Sequence, residues 1–118
     1  MQQAWEGDLE VEARAHGACA LLVLRGEIDH DNVDELEGAL DSALRDGARY
    51  VVLDVSGVGF GDSSMVNALL GAWRSLSARS GGVRLVGVSP AVDQLLATLG
   101  IRDRLPQYPT VDDALRDA

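Results

Sequence analysis

The chain contains no lysine: every one of its ten basic residues is arginine. That single absence excludes a phosphate-loop lysine, a Schiff-base lysine and a lysine general base. Cysteine is almost as scarce. Cys19 stands alone, so neither an internal disulfide nor a cysteine-based metal site is available, and it reads as a small buried apolar residue. Positive charge is in deficit, ten basic residues against 19 acidic ones for a net charge of −9, which argues against nucleic acid and anionic membrane as partners. No apolar run approaches the roughly 18 residues needed to span a bilayer. The opening residues, Met1-Gln2-Gln3-Ala4-Trp5-Glu6, lack the basic and apolar regions of a signal peptide. The expectation is a cytoplasmic protein without metal or cofactor. At 118 residues it is one domain.

What is present is an orderly alternation of elements. Leu9, Val11 and Ala13 alternate, Ala20 to Leu24 is continuously apolar, and His16-Gly17-Ala18 joins the two as a hairpin. Gly26-Glu27-Ile28-Asp29 leads into a helix with a stripe of Val33, Leu36, Leu40 and Leu44, ended by Gly47 at the helix C′ position. Tyr50 to Val55 reads as a buried strand. Gly57, Gly59 and Gly61 then break the chain before a second helix with Val66, Leu69, Leu70, Trp73 and Leu76 at helical spacing. Gly81-Gly82 turns into a strand over 83–88. Ser89 and Pro90 open a third helix bearing Val92, Leu95, Leu96 and Leu99, and Gly100 stops it. Leu105 to Tyr108 is a short edge strand fenced by Pro106 and Pro109, and Thr110 caps a last amphipathic turn. The fold class is α/β, a mixed sheet of four to five strands with about four helices. The strands over 50–55 and 83–88 should be parallel because a helix joins them. Residues 1–8 are expected to be untethered and residues 9–117 to form the domain.

The chemistry concentrates at Phe60-Gly61-Asp62-Ser63-Ser64, between a strand's carboxyl end and a helix. Asp62 or Ser63 is the N-cap. A serine there lies beside unpaired backbone N–H groups and the positive end of a helix dipole, a place suited to phosphate on a ligand or on the serine itself. Ser63 and Ser64 can equally be caps and nothing more, and Asp62 can be a second cap or an interaction residue. From Glu27 to Asp46 there are eight carboxylates with only Arg45 to offset them, either a solvated face or a docking surface for a basic partner. Arg74, Arg79, Arg84, Arg102 and Arg104 read as surface arginines.

Three stretches, Gly26-Glu27-Ile28-Asp29, Phe60-Gly61-Asp62-Ser63-Ser64 and Ser89-Pro90-Ala91-Val92, occur in order, each before a helix. In this the chain resembles STAS domains, and more narrowly the bacterial anti-sigma factor antagonists, from about Leu9 to Leu115. The resemblance implies a non-enzymatic partner switch. The unphosphorylated antagonist binds an anti-sigma factor that is also a serine kinase, so freeing the sigma factor; the kinase phosphorylates Ser63, the complex parts, and a serine phosphatase resets it. Asp29, Asp62, Ser64 and Met65 are the partner-binding residues this implies.

The chain departs from the family's pattern at two positions. Met65 stands where a glycine is common, and Gly61 where a larger apolar residue is often found. Met65 is therefore expected on an exposed first turn, as a flexible contact that restricts which kinases bind. Rival readings are weaker. Gly57-Val58-Gly59-Phe60-Gly61 has Gly-x-Gly-x-Gly rather than dinucleotide-binding spacing, and the next acidic residue after Asp62 is Asp93. A hydrolase would need His16 or His30 as base; His16 belongs to a hairpin turn, and His30 precedes the first helix, where the pocket is shallow. A non-phosphorylated STAS subunit of a sensory or scaffold assembly and a small nucleotide-binding protein remain the alternatives.

Overall fold

The computed structural model describes residues 9–116. Residues 1–8, expected to be untethered, and residues 117–118, the first of them expected to close the domain, lie outside the described residues. Strands β1 (Glu10–His16) and β2 (Cys19–Arg25) form the expected hairpin, followed by α1 (Val33–Arg45), β3 (Tyr50–Gly57), α2 (Ser63–Ser77), β4 (Gly82–Val86), α3 (Pro90–Thr98), a 3-10 turn (Arg102–Arg104), β5 (Gln107–Tyr108) and α4 (Val111–Arg116). The five strands lie side by side in chain order. β1 runs antiparallel to β2, and the pairs β2–β3, β3–β4 and β4–β5 are parallel. The mixed sheet and the parallel β3–β4 pair are as the sequence predicts. β5 is shorter than expected, because Leu105 turns inward as a fully buried residue at the end of the 3-10 turn.

Most start and stop signals hold. The Ser89 hydroxyl accepts from Val92 N–H at 3.2 Å, with Pro90 opening α3. Thr110 Oγ1 accepts from Asp113 N–H at 3.1 Å at the start of α4. Gly47 and Gly100, at φ +90° and +70°, follow the ends of α1 and α3 in the left-handed region that stops a helix cheaply only with glycine.

The two faces of the sheet are unequal. Val51, Leu53, Val55, Leu22, Leu24, Val83 and Leu85 meet α1, α2 and α3 in one large core. On that side Val33, Leu36 and Leu40 of α1 and Val66, Leu69 and Leu76 of α2 are buried as the spacing predicts, but each stripe is wider than expected on its alanine side. α1 buries Ala43, with Leu44 half-buried, and α2 buries Met65, Ala68 and Ala72, with Leu70 and Trp73 half-buried. Leu40 and Leu44 of α1 face Ala68 and Ala72 of α2, while Ala43 lies toward β1 and β2. Leu99, expected in the stripe of α3, is 48% exposed.

The opposite face holds a second cluster of Cys19, Val52 and Val86 under α4. Cys19 is 3% exposed, as expected of an apolar residue. Burial raises its thiol pKa above the ordinary value, against the lowering effect of the nearby Arg84 charge. Arg84 is the correction here. Expected on the surface, it is only 8% exposed, its guanidinium 4.3 Å from the Tyr50 ring centre and 5.4 Å from that of Tyr108. It donates to the Ala114 carbonyl at 2.6 Å, so one cation is stacked on two rings and ties α4 to the sheet. Other arginines also have structural work: Arg79 donates to the Leu44 and Ala48 carbonyls at the end of α1, and Arg102 pairs with Asp93 at 3.1 Å. Replacing Arg84 by alanine removes the stack and leaves a carbonyl unpaired. Urea denaturation should show a loss of roughly 2–4 kcal/mol, and amide exchange should quicken first over 111–116.

Candidate functional site

The site is built where the loops after β2, β3 and β4 converge. Ile28, beyond the end of β2, is fully buried, so its backbone groups need partners. They find them across the gap. Ile28 N–H donates to the Phe60 carbonyl at 3.2 Å, and the Ile28 carbonyl accepts from Asp62 N–H at 3.1 Å, forming a parallel bridge between Ile28 and Gly61. The third loop is tied in by the Ser89 hydroxyl, which donates to the Gly59 carbonyl at 3.1 Å. All three stretches singled out in the sequence therefore meet at one end of the sheet.

Asp62 is the N-cap of α2. Its backbone is extended, and its Oδ1 accepts from Ser64 N–H at 2.8 Å. Of the two cap candidates the aspartate is chosen because its carboxylate reaches the second helical amide, leaving Ser63 as the first residue of the helix. Ser63 is exposed, and among the described residues its hydroxyl has no hydrogen-bond partner. Ser64 is half-buried.

Because Ile28 pairs with Gly61, the next residues, Asp29 and Asp62, run alongside each other. Asp29 is half-buried and makes a turn of its own: its Oδ1 accepts from Asp31 N–H at 2.9 Å and Asn32 N–H at 3.3 Å. Asn32, buried at the N-cap of α1, answers it. Its Oδ1 accepts from Asp29 N–H at 3.0 Å and its Nδ2 donates to the Glu27 carbonyl at 2.8 Å. Sequence reasoning misses Asn32 as a loop-setting side chain, although it immediately precedes a helix, and reads Ser89 as the cap of α3 without its second bond to Gly59.

Met65 is not where the sequence reading puts it. It is 1% exposed and part of the main core, so the expectation of a flexible contact on an exposed turn is corrected. The reason is Gly61. A Cβ placed on Gly61 would lie 2.5 Å from the Met65 sulfur and 2.7 Å from its methyl carbon. The thioether occupies the space that a side chain at position 61 would need. The two departures from the family's pattern are therefore one change, with apolar volume supplied from the helix instead of the loop.

The rival chemistries find little here. His30 is an exposed neighbour of Asp31 at 3.3 Å, with no hydrogen bond to Ser63 among the described residues. The helix amide that a bound phosphate would take, Ser64 N–H, is already held by the Asp62 carboxylate. Two cavities of about 430 and 410 Å³ lie elsewhere, one against β1, β2 and the end of α1, the other between α1 and α2. No helix among the described residues is long and apolar enough to cross a membrane.

The chain belongs to the STAS domain family, whose family model matches residues 10–114. It is 28% identical over 111 residues to an anti-sigma F factor antagonist of Paenibacillus polymyxa, across 93% of this chain and 95% of that protein. It is 25% identical over 96 residues to an anti-sigma-B factor antagonist of Staphylococcus aureus, across 81% and 89%. Among solved structures, an anti-sigma factor antagonist from Mycobacterium paratuberculosis matches with a TM-score of 0.82 at 28% identity over 92% of each chain.

The Gly61–Met65 exchange makes a sharp prediction. Met65→Gly should cost about 3–5 kcal/mol, from a buried cavity plus glycine in a helix. Gly61→Met alone should also destabilise, by overpacking. The double variant Gly61→Met/Met65→Gly should recover on the order of 1 kcal/mol or more relative to the sum, read by denaturant melts as a double-mutant cycle. Additive losses would mean that the two positions do not share one space.

Proposed function

We propose that this chain is an anti-sigma factor antagonist that works as a phosphorylation-controlled partner switch. Unmodified, it binds an anti-sigma factor that is also a serine kinase; phosphorylated on Ser63 it lets go, and a serine phosphatase restores it. The observation that carries this reading is the exposed Ser63 hydroxyl, without a hydrogen-bond partner among the described residues, on the first turn of α2 directly after the capping Asp62. The names of the relatives point the same way.

The physical logic lies in what Asp62 has already done. A phosphoryl group brings roughly −1.5 to −2 charges and three acceptor oxygens. A helix N-terminus ordinarily stabilises such charge, but here a carboxylate occupies the second amide. The phosphate is left as surplus negative charge beside Asp62 and Asp29. Exposed to water, it costs the domain little. Buried under a partner, it must be desolvated next to like charges, and binding weakens. Asp29 and Ser64 are partner-facing in this reading. Met65 acts only by shaping the turn.

Two sets of variants test it against a purified anti-sigma serine kinase. Ser63→Ala should bind at least as well as wild type and accept no phosphate, while Ser63→Asp should bind more weakly. Since Ser63 is not the cap, Ser63→Ala should leave stability within about 0.5 kcal/mol, whereas Asp62→Ala should lose roughly 0.5–2 kcal/mol. Phosphorylation that survives in Ser63→Ala and vanishes in Ser64→Ala would move the switch by one residue.

Asp29 separates turn from charge. Asp29→Asn keeps an acceptor for the Asp31 and Asn32 amides, so melting should be unchanged while kinase affinity shifts. Asp29→Ala should cost on the order of 1 kcal/mol as well. Unchanged affinity in Asp29→Asn would confine Asp29 to the turn. For the switch as a whole, intact-mass analysis of protein from its native host should find a phosphate mapping to 61–67. Its absence from a kinase-bound chain would favour the scaffold alternative.

A further inference from the structure

Aromatic residues are few in this chain, two Trp, two Tyr and one Phe, and those among the described residues are used, with one exception. Tyr50 and Tyr108 sandwich Arg84, and Trp73 packs on the main core beneath the Arg104 guanidinium. Phe60 belongs to neither core cluster and is 51% exposed. The backbone beneath it is pinned on both sides. Gly59 O accepts from the Ser89 hydroxyl, Phe60 O accepts from Ile28 N–H, and Gly61 bridges Ile28. Pro90 and Ala91, both exposed, open α3 across the Ser89 tie. A ring carried on a backbone fixed in this way, three residues before Ser63, requires little backbone ordering on docking.

We infer that Phe60 is the apolar anchor of the partner interface. Its occupant is an apolar cleft on the anti-sigma kinase, sized for a phenyl ring and edged by arginine or lysine. The inference rests on the partner-switch reading and adds to it the residue that supplies binding energy where Ser63 supplies control. Charge selects the occupant. Glu27, Asp29 and Asp31 lie on the loop whose Ile28 pairs with the Phe60–Asp62 backbone, Asp62 follows Phe60 by two residues, and Arg25 at the end of β2 lies 3.9 Å from Glu12. A second copy of this chain docked face to face would set these carboxylates against each other. A basic-rimmed cleft meets them with opposite sign. Ser63 phosphorylation would then place its charge beside the seat of the ring, in the part of the interface that must dry completely.

The single phenylalanine makes the test specific. Chain grown with 4-fluorophenylalanine carries one fluorine, at position 60, and its 19F resonance is followed on titration with a purified anti-sigma serine kinase that binds the wild-type chain. The resonance should shift and broaden with unmodified chain, and not with Ser63→Asp. Phe60→Ala should lose about tenfold or more in kinase affinity, with Phe60→Leu between the two and melting unchanged. Phe60→Ala binding within threefold of wild type, or a silent resonance in a formed complex, overturns the inference while leaving the switch standing. A resonance that moves with the chain's own concentration makes Phe60 a self-contact and also overturns it. If no anti-sigma kinase binds the wild-type chain, the partner-switch reading itself falls, and the anchor with it.

Discussion

Ile28 is completely buried one turn beyond the last residue of β2, and its N–H and carbonyl are satisfied by the Phe60 carbonyl and the Asp62 N–H. An unpaired amide at that depth would cost about 1–3 kcal/mol, so burying the side chain forces the two loops together. Everything at this end of the sheet follows from that pairing. It fixes the extended backbone from which Asp62 caps α2, and it sets Asp29 alongside Asp62. It also holds the Phe60 ring outside the core. The Ser89–Gly59 bond adds the third loop to the same frame. A site made from three loops is ordinarily soft. This one is stitched by backbone hydrogen bonds at the carboxyl ends of parallel strands, where α/β sheets place their functional residues.

Most of the architecture was legible in the sequence because its signals are local. The hairpin, the alternation of β-branched runs with helical stripes and the Ser89-Pro90 and Thr110 caps each depend on residues within one turn of one another. Two features were not legible, and each depends on parts of the chain far away. Arg84 is an arginine between valine and leucine in a strand, and its burial needs rings at 50 and 108 and a carbonyl at 114. The stripe of α2 was read as Val66, Leu69, Leu70, Trp73 and Leu76. Val66, Leu69 and Leu76 are buried as read, but Met65, Ala68 and Ala72 are buried with them and Leu70 and Trp73 are only half-buried. Met65, Ala68 and Ala72 have a helical spacing of their own, which would have carried Met65 inward had the alanines been given weight.

Gly61 and Met65 show why a departure from a pattern is best read in pairs. Taken singly, each looks like a change of surface: a loop residue made smaller, a helix residue made larger. The 2.5 Å separation between a Cβ at 61 and the Met65 sulfur makes them one filled volume. Packing at crystal-like density leaves no room for both side chains and does not tolerate the loss of both. The outer surface of the turn, with Ser63 exposed and Asp62 capping, is therefore reached with an interior built the other way round.

The division of labour at the helix end is the last consequence. A helix N-terminus offers about half a positive charge and a few unpaired amides. If Ser63 were the cap, a phosphate there would exchange one hydrogen-bonding role for another, and the helix would absorb the new charge. With Asp62 as the cap, the second amide is taken and the dipole is already facing a carboxylate. Charge added at Ser63 finds little left in the fold to neutralise it. If Ser63 is modified as proposed, the carboxylate already on the Ser64 amide limits how far the helix N-terminus can neutralise the new charge, and that charge bears chiefly on whatever covers the surface.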